Sequence, residues 1–362
     1  VLGGAATFFG FASPGTLDAQ SIRRTESALA LARDALIGRA VSDDNRPGSL
    51  PCPDTDNDGS AELLAGNQCP RYLGRLPWRT LGLPDLRDAN GERLWYALDA
   101  NFRDDTSAQP INTDTRGSRI VYSGNNSTQL TNLGAAILFA PGPPIGNQSR
   151  SDTQSSVCPT TGTTILANDC AANYLESASG VNNASQTGPY ISAGHTATFN
   201  DQIAVLDSIE LLMPVEARAA REILALLAAY KANSECDDED DLCYPFADSN
   251  YTGNAVWNAN EGTVPLDDAD STEPVGENMW DWGQNSIPVP AAWLTANDWN
   301  RVFLYTVADS QDYHASSSSV TLEVDGVDAY HVVLVATGAA SAARTSFPTG
   351  YIEDSTNNDL GR

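Results

Sequence analysis

The chain has 362 residues, 41% of them hydrophobic, and a formal charge of −27 with a single lysine, Lys231. That length and apolar content allow more than one buried core. So acidic a chain repels phosphate backbones, which excludes nucleic acid as a partner, and no run approaches the roughly 20 apolar residues of a bilayer-spanning helix. The acidity suits divalent cations and salty surroundings, or equally the solvated surface of a halotolerant protein.

The opening "VLGGAATFFGFASPG" is apolar but short. It reads either as the tail of a signal or anchor segment or as an N-terminal element packed on the core. Residues 17–41 follow as a long helix, with Ile22, Leu29, Ala32, Leu36 and Ala40 at helical spacing. Ser42 to Asn45 break it, and Pro47-Gly48 ends it. Residues 200–233 read as helical again, with Pro214 dividing the stretch into two helices. Short alternating strands are expected at 93–98, 302–307, 320–324 and 331–335. The stretches 147–186 and 235–277 read as loop-rich excursions, the second headed by "CDDEDDLC".

Six cysteines form three local pairs: Cys52 with Cys69, Cys158 with Cys170, and Cys236 with Cys243. None has the CxxC spacing of a zinc site. Six cysteines permit fifteen pairings, of which nearest-neighbour disulfides are expected here. Disulfides imply an oxidising compartment, extracellular or at the cell surface.

After each long helical region a similar procession follows. "LPCPDTDNDG", "ERLWYALDA", "SRIVYSG", "LGAAILFAPGPP" and "NYLES" are matched in order by "CYPFADSNYTG", "NRVFLYTVADS", "SVTLEVDG", "YHVVLVATGAA" and "GYIED". This reads as an internal duplication of a helix-plus-sheet module. The expected fold is α+β: a long N-terminal helix packed on an antiparallel sheet, repeated in tandem. The expected ranges are 1–46 for a stalk-like helix, 47–199 for the first β module, 200–233 for connecting helices and 234–362 for the second β module.

The long helix, "LPCPDTDNDG", "GRLPWRTLGLPDLRDANGERLWY", "FAPGPP", "NYLES" and "TFND" together resemble bacterial type IV pilin-like and type II secretion pseudopilin-like proteins. The resemblance covers residues 17–235 and reaches the rest through the duplication. It implies a non-catalytic subunit that self-associates into a cell-surface filament, pilus or pseudopilus. It also implies membrane contact only through an N-terminal segment before assembly.

Asp54, Asp56 and Asp58, with Gly59 at the turn, match the first half of a calcium loop. Ala65 stands where that pattern places its closing glutamate, and Glu62 can substitute. One Ca²⁺ is therefore expected on Asp54, Asp56, Asp58, Glu62 and the carbonyl of Ser60. The competing reading is a disulfide-pinned Asx turn. "CDDEDDLC" is a solvated face or a second cation site. Trp257, Trp280, Trp282, Trp293 and Trp299 serve either the core or stacking on a glycan, which keeps a Ca²⁺-dependent adhesin or glycan-binding pilus-tip protein as the alternative. Trp78, Trp95 and Tyr96 are expected in the core. No GxSxG, HExxH or Walker loop occurs, and no catalytic residue is assigned.

Overall fold

A computed structural model describes residues 14–105, 109–233, 244–245, 247, 261–266, 282–283, 286–308, 322–324 and 326–340. These residues form two compact units. One takes the chain up to Gly38 with Leu50–Arg103 and Gly117–Asp207; the other takes Arg39–Ser49, Asp104–Arg116 and the chain from Ser208 onward. The fold is α+β with antiparallel-rich sheets.

Helix α1 runs Pro14–Ser42. It buries Ala28, Leu29, Ala32, Leu36 and Ala40, the expected stripe except for Ile22, which is exposed. Proline suits its first position, where the missing N–H costs nothing. At its end the Asp43 carboxylate accepts the amides of Asn45 (2.8 Å) and Arg46 (2.7 Å), an Asx turn that competes with further helix.

The first unit holds strands β1 (Leu73–Arg75), β2 (Trp95–Leu98), β3 (Arg119–Ser123) and β4 (Gln129–Ala140). Two small hairpins follow, β5 (Ser155–Val157) with β6 (Thr164–Leu166) and β7 (Ser177–Ala178) with β8 (Val181–Asn182), and then β9 (Tyr190–Ser192) and β10 (Gln202–Asp207). The main sheet has the order β1-β2-β4-β3-β9, with β10 also on β4; β3–β9 is parallel and its other pairs are antiparallel. One face packs Trp95, Ala97, Ile137 and Phe139 against Tyr174 and Tyr190. The alternate residues Tyr96, Leu98, Ala136 and Leu138 are equally buried. Burial on both faces explains the nearly unbroken apolar run "GAAILFA" of β4.

Residues 202–207 are a strand, not the start of a helix. β10 pairs with β4 from Gln202↔Ala140 to Asp207↔Gly134. Alternating Ile203 and Val205 suit a pleated surface, and an open flank on β4 outweighs helical propensity. Helix α2 then runs unbroken over Ser208–Asn233 with Pro214 inside it. The expected break is absent: packing of the helix absorbs the hydrogen bond that proline cannot make, a cost of about 3 kcal/mol.

The second unit contains α2, β11 (Glu261–Gly262), a short helix α3 (Ala292–Ala296), β12 (Phe303–Val307), β13 (Leu322–Val324), β14 (Val327–Tyr330) and β15 (Val332–Ala336). Its main sheet is β11-β12-β15, all antiparallel, and β13 pairs with β14 apart from it. Helix α2 packs Val215, Ala219, Ile223 and Leu227 into a core with Trp293, Trp299, Phe303 and Tyr305.

The two main sheets share a register. In the first, Gly74 lies opposite Tyr96, and Tyr96 opposite Leu138. In the second, Gly262 lies opposite Tyr305, and Tyr305 opposite Leu334. The Tyr96 hydroxyl donates to the Pro51 carbonyl at 3.2 Å, and the Tyr305 hydroxyl to the Pro245 carbonyl at 2.8 Å. The likeness stops at three strands, because β3 joins β4 whereas β13 turns back on β14. The "GYIED" segment lies outside the described residues.

Candidate functional site: an acidic loop pinned by a disulfide

The loop begins where the chain leaves α1 and reaches β1. Cys52 is bonded to Cys69, and Cys158 to Cys170, as their spacing predicts. The Cys236–Cys243 pair and the acids between lie outside the described residues. Asp54 joins the edge of β1 as a two-way bridge: its amide donates to the Arg75 carbonyl (3.0 Å) and its carbonyl accepts the Arg75 amide (2.6 Å). The approach is close enough that a Cβ on Gly74 would stand 2.5 Å from the Asp54 carbonyl.

The Asp54 side chain is fully buried and organises the turn. Its Oδ1 accepts the amides of Asp56 (3.2 Å) and Asn57 (2.6 Å), and its Oδ2 accepts that of Gly59 (2.7 Å). Gly59 has φ +91° and lies against the Trp78 indole, 2.5 Å from where a Cβ would sit. No other residue fits that position. Arg93 clamps the far side, donating to the carbonyl (2.6 Å) and side chain (2.8 Å) of Asn57 while paired with Asp85.

Asp56 and Asp58 are exposed, and carboxylate oxygens of Asp54, Asp56 and Asp58 lie within 4.8 Å of one another. Burial pushes the Asp54 carboxyl up to about 6, against the pull of the Gly59 and Asn57 amides and with a further push from Asp56 and Asp58. The Ser60 amide, which donates to Asp58 at 2.6 Å, holds that carboxyl below its usual range. The structure thus brings three of the expected ligands together. Glu62 is drawn elsewhere: its Oε1 accepts the amide (3.0 Å) and hydroxyl (2.5 Å) of Thr55. Hard oxygen donors converging on a turn suit Ca²⁺, with Asp56 and Asp58 the most available. The same bonds also make the Asx turn that the sequence offers as the competing reading.

The described tryptophans of the second unit belong to its core. Trp282, Trp293 and Trp299 are 7%, 4% and 0% exposed, which leaves them no face for a sugar ring. Trp257 and Trp280 lie outside the described residues. An open polar cleft of about 280 Å³ in this unit is lined by Asn112, Asp114, Asp298 and Arg301 among others, with no aromatic wall.

A buried polar cluster in the first unit escaped the sequence reading. Asp201 and Glu176 are 2% and 8% exposed. Asp201 Oδ2 accepts the Glu176 amide (3.0 Å) and Asn183 Nδ2 (2.9 Å), while Glu176 accepts from Gln148 (2.7 Å) and the Asn200 amide (3.1 Å). Asp201 Oδ1 has no donor among the described residues. The signal lay in single acids within apolar runs, "YLES" and "TFND". Closed off from solvent, the pair offers no substrate access and works as a structural lock.

Compared with known proteins, the chain matches no protein-family model, no curated protein and no solved structure.

Burial, then the charge of Glu176 beside it, raises the Asp201 carboxyl well above its usual range. A folded-state value above the unfolded one gives stability that is complete at acid pH and lost as pH rises through the raised value. Asp201→Asn keeps the acceptor and places an amide toward Glu176. Its unfolding free energy should fall less than that of the native chain as pH rises above the ordinary carboxylate range. Parallel curves in urea titrations would show that Asp201 is ionised throughout.

Proposed function

We propose that this chain is an extracellular, non-catalytic, pilin-like structural subunit that assembles into a cell-surface filament. The observation that carries the reading is a long helix leading into a disulfide-pinned loop and an antiparallel-rich sheet, with the register of its neighbouring strands β1-β2-β4 repeated in β11-β12-β15 of the unit that holds a second long helix. That repetition supports a duplicated helix-plus-sheet module, and the α+β build agrees with the resemblance carried by "LPCPDTDNDG" and "FAPGPP". Two disulfides are compatible with an extracellular protein. Among the described residues no helix is long and apolar enough to cross a membrane. Material purified from the native surface should show regular fibres by negative-stain electron microscopy, and dispersed particles only would contradict the reading.

The acidic loop adds a second element. Its role is structural: one Ca²⁺ at Asp56 and Asp58, with Asp54 behind them, offsets their mutual repulsion and holds the loop shut. The three converging carboxylates support it. Millimolar affinity suffices outside the cell. Calorimetry should register Ca²⁺ binding in that range, chelation should lower the melting temperature, and Asp56→Asn should weaken binding about tenfold or more. A chain that gives no heat with millimolar Ca²⁺ and melts alike with and without chelator holds only an Asx turn there.

A further inference from the structure

Two buried acids of the first unit meet with too few donors for both to be ionised. The carboxyl groups of Asp201 and Glu176 are in hydrogen-bond contact with each other. Glu176 takes one donor on each oxygen, the Gln148 side chain at 2.7 Å and the Asn200 amide at 3.1 Å. Asp201 takes both of its donors on Oδ2, the Glu176 amide at 3.0 Å and Asn183 Nδ2 at 2.9 Å. Its buried Oδ1 has none among the described residues. A carboxyl oxygen without a donor, set against a second carboxyl away from water, is a place for a proton. The guanidinium of this network, Arg150, reaches the pair through Gln148 Oε1 (3.0 Å) and is itself paired with Glu92 (2.9 Å). Asp88 joins the network by accepting the Gly142 amide (2.9 Å), and Arg150 donates to the Gly142 carbonyl (2.9 Å).

We propose that Asp201 Oδ1 and Glu176 share one proton, and that giving this proton up as pH rises opens the β7–β8 hairpin and loosens its hold on β9. With the proton in place Asp201 is the donor and Glu176 the acceptor. When the O–H bond breaks and the proton passes to solvent base, two buried carboxylates are left in contact, and their repulsion at low dielectric drives them apart. The connections decide what moves. Glu176 leads into β7 and Asn183 follows β8, and the Asn183 amide donates to the Glu176 carbonyl at 2.9 Å. The Asn183 side chain, held by Asp201, also accepts the Ile191 amide (2.8 Å) and donates to the Ile191 carbonyl (3.1 Å). Asn183 thus joins the acid pair to β9. Strands β7 and β8 have two residues each, and β9 pairs only with β3 in its sheet. Few ladder bonds hold this segment, so it yields before the central strands β2 and β4 do.

This device stands apart from the filament and Ca²⁺ readings. Nuclear magnetic resonance of the full labelled chain over a pH series tests it by two readouts, the carboxyl carbons of Asp201 and Glu176 and amide hydrogen exchange. One proton should stay on the pair above the ordinary carboxylate range, and both carbons should shift together as it leaves. Over that step the amides of Glu176, Asn183 and Ile191 should lose about tenfold or more of their protection beyond the ordinary base catalysis of exchange, while Ile137 and Leu138 of β4 keep theirs. In Asp201→Asn, whose amide can donate to Glu176 in place of the proton, the hairpin should stay protected throughout. Glu176→Gln, which offers an amide to ionised Asp201, should behave alike and serves if the first variant fails to fold. Two carboxyls that both ionise in the ordinary range overturn the proposal. So does a hairpin that stays protected once the proton has left, or one that opens alike in the native chain and a folded variant. Protection lost from β4 together with the hairpin marks global unfolding and overturns it too.

Discussion

A tyrosine hydroxyl that donates to a proline carbonyl outside the sheet is the contact on which each unit depends. Tyr96 stands on β2, between β1 and β4, and Tyr305 on β12, between β11 and β15; both are fully buried and reach Pro51 and Pro245. Because side chains alternate along a strand, a slip of one residue would carry the ring to the opposite face and leave the carbonyl without its donor. A buried orphan carbonyl costs about 1–3 kcal/mol, so this bond fixes register as well as adding stability. It also fixes where the chain enters. Pro51 opens the acidic loop three residues before Asp54, and Pro245 stands at the matching place in "CYPFAD". A small residue, Gly74 or Gly262, lies across from the tyrosine in both sheets.

From that fixed entry the acidic loop follows. The disulfide at Cys52, the backbone bridge to Arg75 and the three amides on Asp54 set its shape before any ion arrives. Burying Asp54 opposes its ionisation, and the amides it accepts return part of that cost. The turn therefore holds Asp56 and Asp58 at its rim at little further entropic cost, as the cation site proposed above requires.

How much of this was legible in the sequence depended on the range of the forces involved. The span of α1 was visible because its apolar residues recur every three to four positions, and the two described disulfides because their cysteines close short loops. Strands β2 and β12 were visible from local alternation. Strand β10 was not, since "QIAVLD" acquires its conformation from β4, more than sixty residues earlier. Pro214 misled for the same reason: packing of α2 into its core outweighs a local penalty. The Glu176–Asp201 lock joins acids 25 positions apart, beyond any local pattern. The two donors that Thr55 offers Glu62 lie outside the loop pattern from which Glu62 is expected as a ligand.

The shared register is the claim on which the account of two related modules stands. Cross-strand nuclear Overhauser contacts in isotopically labelled protein read it directly. The account predicts Tyr305 opposite both Gly262 and Leu334, mirroring Tyr96 opposite Gly74 and Leu138. Contacts displaced by one residue in either sheet would put the tyrosines on different faces and contradict it.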